Sequence, residues 1–193
     1  MNREEAVKEL LSIDKEIKLR KAFGDRLCHI YYDLPEILEE HPDLDKNVFA
    51  VWNKAIESPR NTQYSIEDTF SSLQKVLETN PKMAPQVLTV FEKALSLENN
   101  DFGSICEARP TFLTLTDVNP ILGKRAATMY IKALDALEDR MTPKSPLKKF
   151  WYFMNDIDGQ GDKIKNSIRE MRAEAKKISG VNPQGKSSNG RSL

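Results

Sequence analysis

Leu34-Pro-Glu-Ile-Leu-Glu-Glu-His-Pro-Asp-Leu44, followed by Val51-Trp-Asn-Lys-Ala-Ile56, decides the fold of this chain, because the pattern returns twice. Thirty-nine residues on stand Leu73-Gln-Lys-Val-Leu-Glu-Thr-Asn-Pro-Lys-Met83 and Val90-Phe-Glu-Lys-Ala-Leu95. One more step gives Phe112, then Asn119-Pro-Ile-Leu122 and Met129-Tyr-Ile-Lys-Ala-Leu134. Pro42, Pro81 and Pro120 fall in register, as do Trp52, Phe91 and Tyr130, with no gap anywhere. Self-similarity at a fixed period of this length is the mark of a stacked array, in which each unit buries its apolar face on its neighbours.

Each unit reads as two helices. The first helices are expected at about 25–40, 66–79 and 105–118, with apolar positions such as Leu27, Tyr31, Leu34, Ile37 and Leu38 at helical spacing. Ser65-x-x-Asp68 and Ser104-x-x-Glu107 resemble capping boxes at two of the starts. Pro110 predicts a kink or break in the third first-helix, since an interior proline removes a backbone donor. By propensity alone the run Thr111 to Thr116 suits a strand; its register with the earlier units argues for helix. His41-Pro42, Asn80-Pro81 and Asn119-Pro120 form the turns, with His41 and the two asparagines in cap-type positions. The second helices come next, at about 43–57, 82–98 and 121–140, and are apolar on more than one face. That breadth demands partners on several sides.

Residues 3–21 carry Leu10, Ile13, Lys15 and Ile17 where Phe49, Trp52, Lys54 and Ile56 stand one step later, so they read as a half unit capping the stack. After Arg140 the register decays. Thr142 to Pro146 is a connector, and Leu147 to Ile157, with Trp151 and Met154, reads as a degenerate fourth unit or a closing cap. Residues 162–179 form a last helix with a stripe of Ile164, Ile168, Met171, Ala175 and Ile178, started by a Gly-rich turn with Asp162 as N-cap. It reads as a cap, or as a basic amphipathic helix for a partner or an anionic surface. Residues 180–193 lack the apolar content to bury a core and are expected to be disordered. The expected fold is therefore all-α: a short right-handed α-solenoid of about three two-helix repeats. An N-terminal capping helix covers 1–21, repeats cover 22–60, 61–99 and 100–139, C-terminal capping helices cover 140–179, and a tail completes the chain.

The motif Leu-x-x-(Ile/Val)-Leu-x-x-(His/Asn)-Pro-x-(Leu/Met), with an apolar helix ending Lys-Ala-(Ile/Leu), resembles HEAT-like (armadillo-like) helical repeats. Tetratricopeptide repeats have a period of about 34, whereas 39 lies beside the roughly 40–47 of HEAT and armadillo units. The sequence departs from the HEAT pattern in lacking a regular proline in every first helix and a fixed Asp/Arg pair between units. The resemblance is one of architecture; stacked second helices would present a groove to a peptide or helix, so a protein-binding scaffold is the expected function.

Composition supports a non-catalytic reading. The two histidines, His29 and His41, are isolated, and no Gly-rich phosphate loop occurs. Cys28 and Cys106 stand 78 residues apart, two repeat steps, too far for a disulfide in a stack, and two lone thiols suit a reducing, cytoplasmic setting. A bacterial protein delivered into a host cell is the alternative that this architecture suggests. No apolar run approaches the ~20 residues of a membrane helix and no apolar signal region opens the chain, so a non-membrane protein is expected. Asp156, Asp158 and Gln160 resemble part of a calcium loop, but Ser167 stands where the bidentate Glu is needed, so no metal or other cofactor is expected.

The chain is neutral overall, yet residues 1–139 carry 17 basic and 24 acidic residues and residues 140–193 carry 12 and 5. Lys15, Lys54, Lys93 and Lys132 recur at the period and would form a column at about 10 Å steps. With Gln86, Thr89, Arg125 and Thr128 on the second helices, they are the candidate binding residues for a peptide or protein partner. The alternative use of the column and the basic C-terminal helix is binding of nucleic acid or another polyanion, against which the acidity of residues 1–139 argues. The bland reading of the column is that Lys closes each second helix, offset by Asp14, Glu57, Glu92 and Asp135.

Overall fold

The computed structural model describes residues 1–19, 24–98, 100–141 and 160–180, and these are all-helical with no strand among them. Helix α1 spans Arg3–Lys18, α2 Gly24–Glu40, α3 Asp45–Ile56, α4 Gln63–Thr79, α5 Ala84–Leu95, α6 Phe102–Val118, α7 Pro120–Met141 and α8 Gln160–Ser179. Helices α2, α4 and α6 start and end 39 residues apart, as do α3 and α5. Short 3-10 turns, Pro42–Leu44 and Pro81–Met83, precede α3 and α5.

Two rows of helices result. In one row α4 lies between α2 and α6; in the other, α1 meets α3, α3 meets α5 and α5 meets α7. The rows are joined by α2 with α3, α4 with α5 and α6 with α7, while α8 packs mainly on α7 and touches α6. One continuous core lies between them. Its largest fully buried side chains include Trp52, Tyr31, Tyr130, Phe70, Phe91 and Phe112. Trp52 stacks on Tyr31 at 6.4 Å between ring centroids, Phe91 meets Phe70 edge-on at 5.6 Å, and Tyr130 lies 4.7 Å from Phe112. Each second-helix aromatic thus packs on an aromatic from the helix before it.

The helix starts differ from expectation. The N-caps of α4 and α6 are Thr62 and Asp101, three residues before the serines expected there. Ser65 and Ser104 stand at N3: Ser65 N–H donates to Thr62 Oγ1 at 3.3 Å, and Ser104 N–H to Asp101 Oδ1 at 2.9 Å. Thr62 N–H donates in turn to Ser65 Oγ at 2.9 Å, so serine plays the part of the usual N3 acid. Neither His41 nor Asn80 caps with its side chain, and each leads into a 3-10 turn. Asn119 does cap: its Oδ1 accepts from Ile121 and Leu122 N–H at 3.1 and 3.2 Å, and α7 is α-helical from Pro120.

Pro110 does not break α6, and α2 likewise runs through Pro35. An interior proline costs roughly 3 kcal/mol, and packing on both sides offsets it. Ala108, Thr111, Phe112 and Leu115 are buried, and the Thr111 hydroxyl donates to the Phe70 carbonyl at 2.9 Å. Helix α5 stops at Leu95, short of the expected 98. Asn100 explains the stop, since its Nδ2 donates to the carbonyls of Ala94 and Leu97 at 2.7 and 3.1 Å and turns the chain. Asn61 does the same one unit earlier, donating to Ala55, Ile56 and Ser58 at 2.9, 3.0 and 3.0 Å.

At the C-terminal end, Ile168, Met171 and Ala175 of α8 are buried against the core. Asp162 is not an N-cap but lies in the first turn of α8, where its charge suits the helix dipole. Arg172 reaches Asp135 and Glu138 of α7 at 2.9 and 2.5 Å, and Arg109 holds Glu174 through two bonds at 2.7 and 2.9 Å. The connector, Trp151, Met154, the calcium-loop residues Asp156 and Asp158, the side chain of Gln160, and residues 181–193 lie outside the described residues.

Candidate functional site

The row formed by α1, α3, α5 and α7 presents the candidate residues. Lys54 donates to Asp14 of α1 at 2.6 Å, and Lys93 to Glu57, the residue that ends α3, at 2.5 Å. Arg125 holds Glu92 of α5 through two bonds at 2.5 and 2.6 Å. Asp14 also takes Lys18 at 2.6 Å, and its carboxyl is held below the usual carboxylate range by the bonds from Lys18 and then Lys54. These basic groups therefore link successive helices instead of forming an open row of charge. Lys15 and Lys132 are exposed and have no ion pair among the described residues. Thr89 and Thr128 turn their hydroxyls back to the carbonyls of Pro85 and Lys124 at 3.1 and 2.9 Å, and Gln86 is half-buried with no hydrogen bond to its Oε1 among the described residues.

Clefts open between the helices. One of about 670 Å³ lies where α5 ends against α7, lined by Leu95, Leu97, Met129, Lys132, Ala133 and Ala136 among others. A smaller one of about 150 Å³ lies between α1 and α3 and includes Leu11, which is 64% exposed. A third, about 410 Å³, lies between α6 and α8 beside Cys106 and the Arg109–Glu174 pair. Ile121, at the start of α7, is 79% exposed.

The acidity of the first 139 residues is not spread evenly. Helices α2, α4 and α6 hold ten acidic and three basic residues, a net of −7. Helices α3, α5 and α7 hold five and seven, a net of +2. A sum along the sequence mixes the two rows and hides this segregation, which becomes visible only when alternate helices are assigned to opposite sides.

The groups suited to chemistry are quiet. Burial pushes the Cys28 thiol up to about 12, helped by Asp68, so it is protonated at neutral pH. Burial also raises Cys106. Both cysteines are free thiols. His41 Nε2 donates to the Met1 carbonyl at 2.9 Å, and His29 is exposed. No group of three or more metal-ligating side chains occurs among the described residues. None of the described helices is long and apolar enough to cross a membrane. No protein-family model matches the chain, and neither a curated protein nor a solved structure is detectably similar to it.

Proposed function

We propose that this chain is a short right-handed solenoid of HEAT-like repeats and works as a non-enzymatic scaffold, taking a peptide or protein partner on the second-helix row. The observation that carries the reading is the openness of that row. It holds the 670 Å³ and 150 Å³ clefts, with exposed apolar surface at Leu11 and apolar lining at Leu97 and Met129. A cleft between helices with apolar walls and a few polar groups is a common form of binding site. Hydrogen exchange on the intact chain, with and without a bound partner, tests it. Protection should gather on α3, α5 and α7; protection confined to α2, α4 and α6 would reject it.

Polyanion binding is the second reading, favoured by the net +2 of α3, α5 and α7 opposite the −7 of α2, α4 and α6. The pairing of Lys54, Lys93 and Arg125 with acids counts against it. Fluorescence anisotropy with single- and double-stranded oligonucleotides decides. Affinity that does not fall steeply between about 50 and 200 mM salt removes this reading.

A further inference from the structure

The pair that Lys93 makes with Glu57 is not repeated one step later, where α5 and α7 are linked instead through Glu92 and Arg125. Lys93 is held by Glu57, which sits at the C-cap of α3. Thirty-nine residues after Glu57 stands Ser96, at the C-cap of α5, and thirty-nine after Lys93 stands Lys132. The acid is missing from this pair. The Ser96 hydroxyl instead donates back to the Lys93 carbonyl at 2.7 Å, and Lys132 is left without an ion pair among the described residues. The same two residues, Ser96 and Lys132, line the 670 Å³ cleft.

Among the described residues, the other charges in the cleft leave Lys132 as its available cation. Arg140 is occupied by the carbonyl oxygens of Glu98, and of Asn100 at 2.6 Å. Asp139 lies seven residues along α7 from Lys132, about 10 Å away at helical rise, beside Arg140 in sequence. Glu98 is the other acid in the lining. Asp135, one turn from Lys132, is taken by Arg172 at 2.9 Å. Between the two ends the wall is Met129, Ala133 and Ala136, facing Leu95 and Leu97.

We propose that this cleft docks a peptide segment of a protein partner in which an Asp or Glu stands beside apolar side chains. The partner's carboxylate takes on Lys132 the place that Glu57 takes on Lys93, and its apolar neighbours cover Leu97, Met129 and Ala133. This inference rests on the scaffold reading and names the chemistry of its partner.

A library of short random peptides selected against the full chain tests it, with the recovered peptides measured by anisotropy on the parent and on three variants. Recovered peptides should be rich in Asp or Glu next to Leu, Ile or Phe. Ser96→Glu rebuilds the missing pair, so it should keep the fold, as Glu57 does, and weaken binding about tenfold or more by occupying Lys132. Lys132→Glu should weaken it as much, and Lys132→Arg should retain it. Peptides that lack acidic residues, or that bind Ser96→Glu and Lys132→Glu as tightly as the parent, would overturn the assignment while leaving the scaffold reading standing. Failure to recover any binding peptide would overturn both. Circular dichroism of each variant checks the fold, and if Ser96→Glu does not fold, the Lys132→Glu and Lys132→Arg pair decides.

Discussion

Replacing Phe70 by Tyr should stabilise this protein. Two buried asparagines one repeat step apart differ in what reaches their side-chain oxygens. Asn61, 8% exposed, receives the Tyr31 hydroxyl on its Oδ1 at 2.8 Å and the Ser65 hydroxyl at 3.1 Å. Asn100, 3% exposed, makes the same kind of Nδ2 bonds to the helix before it, but its Oδ1 is buried with no hydrogen-bond partner among the described residues. The reason lies in the sequence. The position of Tyr31 is taken by Phe70, and the hydroxyl of Ser104 turns to Asp101 at 3.0 Å instead. Thr69, which meets the Tyr31 hydroxyl, is likewise replaced by the smaller Ala108 one step later. A new buried hydrogen bond contributes about 0.5–1.5 kcal/mol, more when it relieves an unsatisfied acceptor. For a chain of this size about 1 kcal/mol moves the melting midpoint by roughly 2–4 °C. Urea unfolding followed by far-UV circular dichroism, with an unchanged m-value, measures it. Tyr31→Phe in the same series should cost about 1 kcal/mol, and Asn61→Ala about 1–3 kcal/mol, since it strips a donor from three carbonyls. A Phe70→Tyr protein less stable than the parent would refute the reasoning, because its hydroxyl would then be buried without reaching Asn100.

Further tests come from packing and charge. Gly123→Ala should cost about 1–3 kcal/mol or more, because its Cβ would lie 2.4 Å from the Cα of Thr116, where backbone meets backbone; thermal melts check this. Gly103→Ala should be neutral or stabilising by up to about 1 kcal/mol of helix propensity, because the nearest atom is the movable end of Glu67 at 2.7 Å. Trp52→Ala, at a fully buried site between Tyr31 and Phe49, should cost about 3–5 kcal/mol in urea unfolding. The depressed carboxyls of Asp14 and Glu174 contribute stability above the ordinary carboxylate value of about 4 and lose it as pH falls through their lower folded values. Asp14→Asn should therefore flatten the acid limb of the stability curve below about pH 4, read by urea midpoints across pH.

The helical class and the helix positions are legible in the sequence because they depend on periodicity, which Trp52, Phe91 and Tyr130 display openly. Other features are hidden for separate physical reasons. Asn61 and Asn100 recur at the period, yet an asparagine in a turn gives no sign that its amide will clamp the preceding helix. Thr62 and Asp101 are masked as caps because Ser65 and Ser104 also fit a capping pattern, and both kinds of residue take part in the cap. The tie of the last helix to the core is concealed at Arg109, which occupies the position of Tyr31 and Phe70 and reaches Glu174 sixty-five residues on. Cross-helix ion pairs such as Lys93 with Glu57 join residues 36 apart, a spacing that only the packing defines.

Deleting residues 61–99 is the most direct test of the central claim, that the chain is a stack of interchangeable 39-residue units. The cut places Asn100 directly after Arg60, where Asn61 stands in the parent, and Asp101 then caps the next helix. Urea unfolding of the shortened chain should remain a single cooperative transition, with a helical circular dichroism signal per residue close to the parent's and a lower total stability. A shortened chain that gives no cooperative transition, or loses most of its helix, would contradict the claim.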